Sequence, residues 1–193
     1  MLIDAKLPLP FDVLIKLALQ QFKSDADVLA AIKAFCFDRL SVNLRDQGAS
    51  AQEVDAVLSL APALLSEIPQ RLTAVKTFTT LAEAPALAAA NKRVGNILRK
   101  IEGEVEAEAD DNLLQEPAEQ ALVAALNTTG ARADQLFEAG DYTASLQALA
   151  TLREPIDAFF DSVMVNADDP ALKANRQGLL AMLHQTMNRV ADL

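Results

Sequence analysis

The sequence predicts an all-α protein, a helical bundle of roughly eight to nine helices, from three observations. Apolar residues make up 51% of the chain but aromatic ones only 5%, so Ala and Leu carry most of the hydrophobic mass. Both lose little conformational entropy in a helix. Apolar positions recur at three- and four-residue spacing along most of the length, and β-branched residues never gather into long alternating runs. Glycine is scarce, with 6 in 193 residues, so breaks in the helical pattern are few and readable. A chain of this length can bury a core as one domain or as two small ones. The expected division is an N-terminal helical part over residues 1–80, packed against a helical core over residues 81–193. One continuous domain is the alternative.

The elements follow in order. Pro8-Leu9-Pro10 precedes a short helix with Phe11, Leu14, Ile15, Ala18 and Leu19 on one stripe. A second helix starts near Ser24 or Asp25, either a good N-cap, and carries Val28, Leu29, Ile32, Phe35 and Cys36 at helical spacing toward Leu40 and Leu44. Gly48 ends it. Ser50-Ala-Gln-Glu53 is a capping-box pattern that opens a third helix through Val54, Val57 and Leu58. Pro62 and Pro69 punctuate the next connection, and a helix over about 70–81 presents Leu72, Val75, Phe78 and Thr79. Beyond the midpoint, a long helix is expected from Asp111 or Asn112, with Thr128-Thr-Gly130 as a candidate interruption. Tyr142–Leu152 forms the next helix. Glu154-Pro155 opens another with Ile156, Phe159, Phe160, Val163 and Met164. Asp168 or Asp169 before Pro170 opens the last, with Leu172, Leu179, Leu180, Leu183, Met187 and Val190 as its stripe.

Charge is distributed unevenly. The chain carries a net −10, yet residues 1–101 hold 12 Lys/Arg against 10 Asp/Glu, and residues 102–193 hold 5 against 17. Four of those cations, Lys92, Arg93, Arg99 and Lys100, crowd into nine residues of the stretch ALAAANKRVGNILRK. On a helix over 86–101, Leu87, Ala90, Val94, Ile97, Leu98 and Ile101 share one face, and Lys92, Arg93, Asn96, Arg99 and Lys100 take the opposite one. No acid interrupts the basic face. A solvated surface and a phosphate-binding surface both fit it: cations neutralise phosphate, and the amides of Asn91 and Asn96 can donate to and accept from base edges. Aromatic residues do not interleave with it. The following stretch, Glu102 to Asp111, alternates acids with small residues over six carboxylates. It reads as a solvated loop, because it lacks the ligand offsets and central Gly turn of a calcium loop.

No catalytic constellation assembles. A phosphate-cradling Gly loop, a GxGxxG after a strand and a GxSxG elbow are all missing from the sequence. The single cysteine, Cys36, excludes an internal disulfide and a multi-thiolate zinc site; it reads as a small core residue. The single histidine, His184, reads as a partly buried packing residue. No apolar run approaches membrane-spanning length and no leader is recognisable, so a cytoplasmic location is expected. Asp157 and Asp161 stand four apart and read as solvated or ion-paired. Arg176 falls within the apolar stripe of the last helix, where it needs a carboxylate or an anionic ligand. Asp157 and Asp161 are the candidate structural partners, and phosphate or a base the candidate ligand. Lys173 and Asn175 beside it are expected to reach outward.

Several long strings resemble one family. AAANKRVGNILRK, LLQEPAEQAL, PIDAFFDSVMVNADDPALKANRQGLLAML and FCFDRLSVNLRDQGASAQEVDAVL are similar, in collinear order, to the C-terminal region of the bacterial glycyl-tRNA synthetase beta subunit. The resemblance covers nearly the whole chain. It implies an all-helical anticodon-binding domain related to that of arginyl-tRNA synthetases, with its core in residues 81–193. That domain type is named for an Asp-Ala-Leu-Arg string, which this sequence lacks; its nearest version is Asp169-Pro-Ala-Leu-Lys173. The resemblance further implies that the partners are glycine tRNA, the remainder of the beta subunit and the alpha subunit, with neither DNA nor membrane among them. Aminoacylation, with its ATP and magnesium, would belong to the parent enzyme. This stretch would be non-catalytic and without a cofactor, only the tail of a longer chain, which leaves open whether Met1 is a native start. On this reading Lys92, Arg93, Arg99 and Lys100 contact phosphate, with Lys173 beside them. Asn91, Asn96, Asn175 and Arg176 are the candidates for reading bases, and the acidic loop repels RNA from neighbouring surface. The alternative is a helical docking module for subunit assembly, with RNA contacted elsewhere.

Overall fold

A computed structural model describes residues 1–20 and 26–193. Its elements are α1 (Phe11–Leu19), α2 (Ala26–Asp46), α3 (Ala51–Leu58), α4 (Ile68–Phe78), α5 (Ala84–Leu98), α6 (Pro117–Ala125), α7 (Ala131–Glu138), α8 (Tyr142–Ala148), α9 (Arg153–Ser162) and α10 (Pro170–Met187). A π turn over Leu126–Gly130 joins α6 to α7 without a break, and a 3₁₀ turn over Leu149–Leu152 joins α8 to α9. The ten segments therefore make eight helical runs, as the periodicity predicts, and no strand occurs among the described residues. The predicted N-cap at Ser24 or Asp25 lies outside the described residues.

The chain divides into two compact units, residues 1–76 with Asp192 and residues 77–191 with Leu193. In the first, Ser50 opens α3 through a complete capping box: its hydroxyl accepts from the Glu53 N–H at 3.2 Å, and the Glu53 carboxylate accepts from the Ser50 N–H at 2.8 Å. Two orphan donors of the first turn are thereby satisfied. Gly48 adopts φ +94°, the left-handed conformation that ends α2. Ile15, Leu44, Val54, Val57, Ile68, Leu72 and Val75 are buried. Part of the predicted α2 stripe is not core. Val28, Phe35 and Val42, seven residues apart, are exposed, as are Val13 and Leu17 on α1. Cys36 is half-buried.

In the second unit, α5, α6, α9 and α10 supply the core through Leu87, Val94, Leu122, Ile156, Phe159, Leu179, Leu180, Leu183 and Met187. Met164, assigned to the α9 stripe from sequence, is 72% exposed, because α9 ends at Ser162 and the chain turns extended at Val163. The long helix starts at Pro117 rather than near Asp111, where only a 3₁₀ turn forms. Proline at the first helical position forfeits no intrahelical bond. The string Asp169-Pro-Ala-Leu-Lys173 starts α10. The Asp169 carboxylate accepts from the Ala171 and Leu172 N–H groups at 2.8 and 3.3 Å, with Pro170 next.

Candidate nucleic-acid interface

Helix α5 forms because an Ala-rich run follows Pro85 in the first turn, and both choices favour helix. Leu87, Ala90, Asn91 and Val94 are buried, and Lys92, Arg93, Asn96, Arg99 and Lys100 are exposed. The helix packs antiparallel on α10, with Asn91 against Asn188 and Gly95 against the His184 imidazole. His184 is half-buried by this contact, as expected of a packing residue.

The cations differ from most others in the chain. Lys33, Arg45, Arg71, Arg153, Arg176 and Arg189 each stand within 4.0 Å of a carboxylate. None of the ion pairs among the described residues involves Lys92, Arg93, Arg99 or Lys100. Arg99 folds back on its own helix, donating to the Gly95 carbonyl at 3.3 Å and to the Asn96 Oδ1. These bonds place positive charge at the helix C-terminus, where the macrodipole favours it. Arg93 lies over the ring of Phe160 from α9, with 4.0 Å from its guanidinium carbon to the ring centroid. Phe160 in turn meets the buried Phe159 edge-on, with centroids 5.5 Å apart and planes at 77°. No sequence periodicity joins residues 93 and 160, so this aromatic support was invisible before folding.

The other sequence candidates occupy different surroundings. Lys173 is exposed, but it lies 11 residues before His184, roughly 16 Å along α10 from the Gly95 contact. Asn91, at 2% exposure, is buried. Its amide donates to Asn188 Oδ1 at 2.8 Å and to the Leu193 carbonyl at 2.6 Å, and its Oδ1 accepts from Asn188 at 3.0 Å. Asn175 does not reach outward as the sequence suggested. It clasps the backbone of Asp110, accepting its N–H at 2.7 Å and donating to its carbonyl at 3.1 Å. Burial therefore withdraws Asn91, Asn175 and Arg176 from the base contacts for which they were candidates. Of the four base-reading candidates, only Asn96 stays exposed.

Arg176 has a structural partner, though neither Asp157 nor Asp161. Glu119 of α6, fully inaccessible, accepts from Arg176 Nε at 2.7 Å and Nη2 at 3.4 Å. The remaining Arg176 Nη1 donates to the Met164 carbonyl at 2.9 Å. Glu119 Oε2 also accepts the N–H groups of Gln115 and Glu116 at 3.0 and 2.7 Å, completing a capping box at the start of α6. Burial would raise the Glu119 pKa, but its hydrogen bonds to Arg176, Glu116 and Gln115 outweigh this and hold it below the usual carboxylate range. Asp157 and Asp161 are exposed; Asp157 stands 3.7 Å from Arg153.

The acidic segment is better ordered than a solvated loop. From Glu104 to Asp110 the acids are exposed, and Val105, Ala107 and Ala109 between them are half-buried. The backbone runs so close to α10 that a Cβ on Gly178 would sit 2.1 Å from the Glu108 carbonyl oxygen. Only glycine permits that approach. Together with the Asn175 clasp, this fixes six carboxylates immediately beyond the basic face. Among the described residues, no group of three or more His, Cys, Asp or Glu side chains is arranged to hold a metal ion. No described helix is long and apolar enough to cross a membrane.

Helices packed around a core, one of them carrying a cationic face without ion pairs among the described residues and bounded by a pinned acidic segment, define an all-helical bundle domain. Residues 87–193 match the family model described as "DALR anticodon binding domain". The chain belongs to that family. Over its whole length it is also 60% identical to the "Glycine--tRNA ligase beta subunit" of Leptothrix cholodnii and 57% identical to that of a Janthinobacterium species (strain Marseille). It spans only 27% and 28% of the length of those relatives.

Proposed function

We propose that this chain is the anticodon-binding portion of a glycyl-tRNA synthetase beta subunit, binding glycine tRNA through the exposed face of α5. The observation that carries this reading is the set of four cations without carboxylate partners among the described residues, Lys92, Arg93, Arg99 and Lys100, on one face of a strongly acidic chain. Phosphates would supply the missing counter-charge. Lys173 stands apart from this face, beyond the acidic segment on α10, as a candidate for a more distant phosphate, and Asn96 supplies an amide to a base edge. The segment from Glu102 to Asp111 then bounds the footprint by repulsion. ATP-dependent glycylation, together with its magnesium, falls to the parent enzyme acting with the alpha subunit. The residues described here position the tRNA without performing the chemistry.

A titration with a glycine tRNA transcript tests this, run over a series of salt concentrations beside a transcript altered only in its anticodon. Four phosphate contacts give a slope of log K against log salt of about −3, on the single-strand coefficient. Reversing Lys92 and Arg99 to Glu removes about half of that slope. Affinity that ignores both salt and these reversals overturns the reading. A second reading applies to residues 1–76. The exposed Val13, Leu17, Val28, Phe35 and Val42 suit apolar docking onto the remainder of the beta subunit or onto the alpha subunit. Such docking would be insensitive to salt.

A further inference from the structure

We propose that Arg93 and Phe160 form a stacking platform for an unpaired RNA base, in addition to any phosphate contact made by the neighbouring cations. The inference rests on the RNA-binding reading above and assigns a chemical task within that face. Phe160 is half-buried and held edge-on by the fully buried Phe159. Its ring carries the Arg93 guanidinium at 4.0 Å, while Arg93 itself remains exposed. A guanidinium seated on an aromatic ring loses much of its freedom to wander, so it presents a pre-oriented surface at little further entropic cost. Carboxylates do not occupy it, since none of the ion pairs among the described residues involves Arg93.

Splayed bases of single-stranded RNA stack on arginine planes and aromatic faces alike. Duplex RNA offers no such base, so the platform favours a loop over a stem. Asn96 lies three residues on, one helical turn from Arg93 on the same exposed face. Its Oδ1 is taken by Arg99, which turns its NH₂ group into the free donor for an acceptor on the base edge. Lys92, Arg99 and Lys100 surround the pair and suit the flanking phosphates. Burial leaves Asn91, Asn175 and Arg176 to the fold, and this platform takes over the base contact that sequence reasoning had assigned to them.

The test compares the whole chain with Arg93→Lys, Phe160→Leu and Arg93→Glu variants against glycine tRNA transcripts. Each transcript carries 2-aminopurine at one anticodon position in turn, and its fluorescence is quenched by stacking. Arg93→Lys preserves the charge and discards the plane. It is expected to weaken binding about five- to a hundredfold, the range for one stacked base, and to relieve quenching at one position, with the salt slope unchanged. Phe160→Leu is expected to act in the same direction. If Arg93→Lys binds and quenches like the parent while Arg93→Glu weakens binding, the platform is wrong and the phosphate reading survives. If Arg93→Glu also has no effect, both fall.

Discussion

Replacing Glu119 with Gln tests the buried ion pair most directly. The side chain is fully inaccessible, and Arg176 retains only 7% of its side-chain exposure. One carboxylate accepts four N–H···O hydrogen bonds, whereas an amide keeps a single acceptor oxygen. If the amide oxygen takes the Oε2 position, its NH₂ faces the Arg176 Nε donor at what was a 2.7 Å hydrogen bond. If it takes the other position, the NH₂ faces the Gln115 and Glu116 N–H donors. Either way donors face donors and Arg176 is left a buried cation without a counter-charge, its Nη1 still on the Met164 carbonyl. Removing one partner of a buried pair costs about 3–5 kcal/mol. At about 2–4 °C per kcal/mol for a chain of this size, the melting temperature should fall on the order of 10 °C. Denaturation followed by circular dichroism measures it. Because the folded-state pKa of Glu119 lies below its ordinary value of 4.5, its stabilisation is fully present above that pH. It is lost as the pH falls through the lowered folded value. The gap between parent and variant should therefore narrow in acid. A loss below about 1 kcal/mol at neutral pH, or a gap that stays constant from neutral pH into acid, would refute a buried charged pair. Changing both residues together, Glu119→Leu with Arg176→Met, should recover much of the loss, since apolar isosteres of buried pairs are often neutral.

Other perturbations read other parts of the molecule. Ser50→Ala removes the α3 cap and should destabilise residues 1–76 by about 1 kcal/mol in urea unfolding. Gly178→Ala places a Cβ against the Glu108 carbonyl. It should cost about 1–3 kcal/mol and speed cleavage by a glutamate-specific protease between Glu102 and Glu108, while an unchanged cleavage rate would mean the segment is not pinned there. Asn188→Leu breaks the reciprocal amide pair and strands the buried Asn91 Oδ1, so a loss of about 1–3 kcal/mol is expected by chemical denaturation.

The sequence by itself determined which segments are helical and which face of α5 carries charge. Those properties follow from local spacing: apolar residues every three or four positions, Ser50 and Asp169 at helix starts, Gly48 at a helix end. The basic face was readable for the same reason, since Lys92, Arg93 and Asn96 belong to a single helix and Arg99 and Lys100 follow directly at its C-terminal end. Tertiary structure decided the rest. Arg176 announced its need for a counter-charge, yet its partner stands 57 residues away on α6, and nothing in local spacing prefers Glu119 to Asp157 or Asp161. Asn175 stands at the edge of the α10 stripe, and Asn91, four residues after Leu87 and three before Val94, lies on the apolar face of α5, yet spacing names a partner for neither. Their burial depends on a chain segment that folds over α10 at Gly178 and on an amide partner 97 residues distant. The aromatic support that sequence inspection found missing from the basic face arrives from α9, when helix packing brings Phe160 beneath Arg93. Periodicity records which side of a helix avoids water. What stands opposite that helix is set by how the helices pack, and it is written in no local pattern.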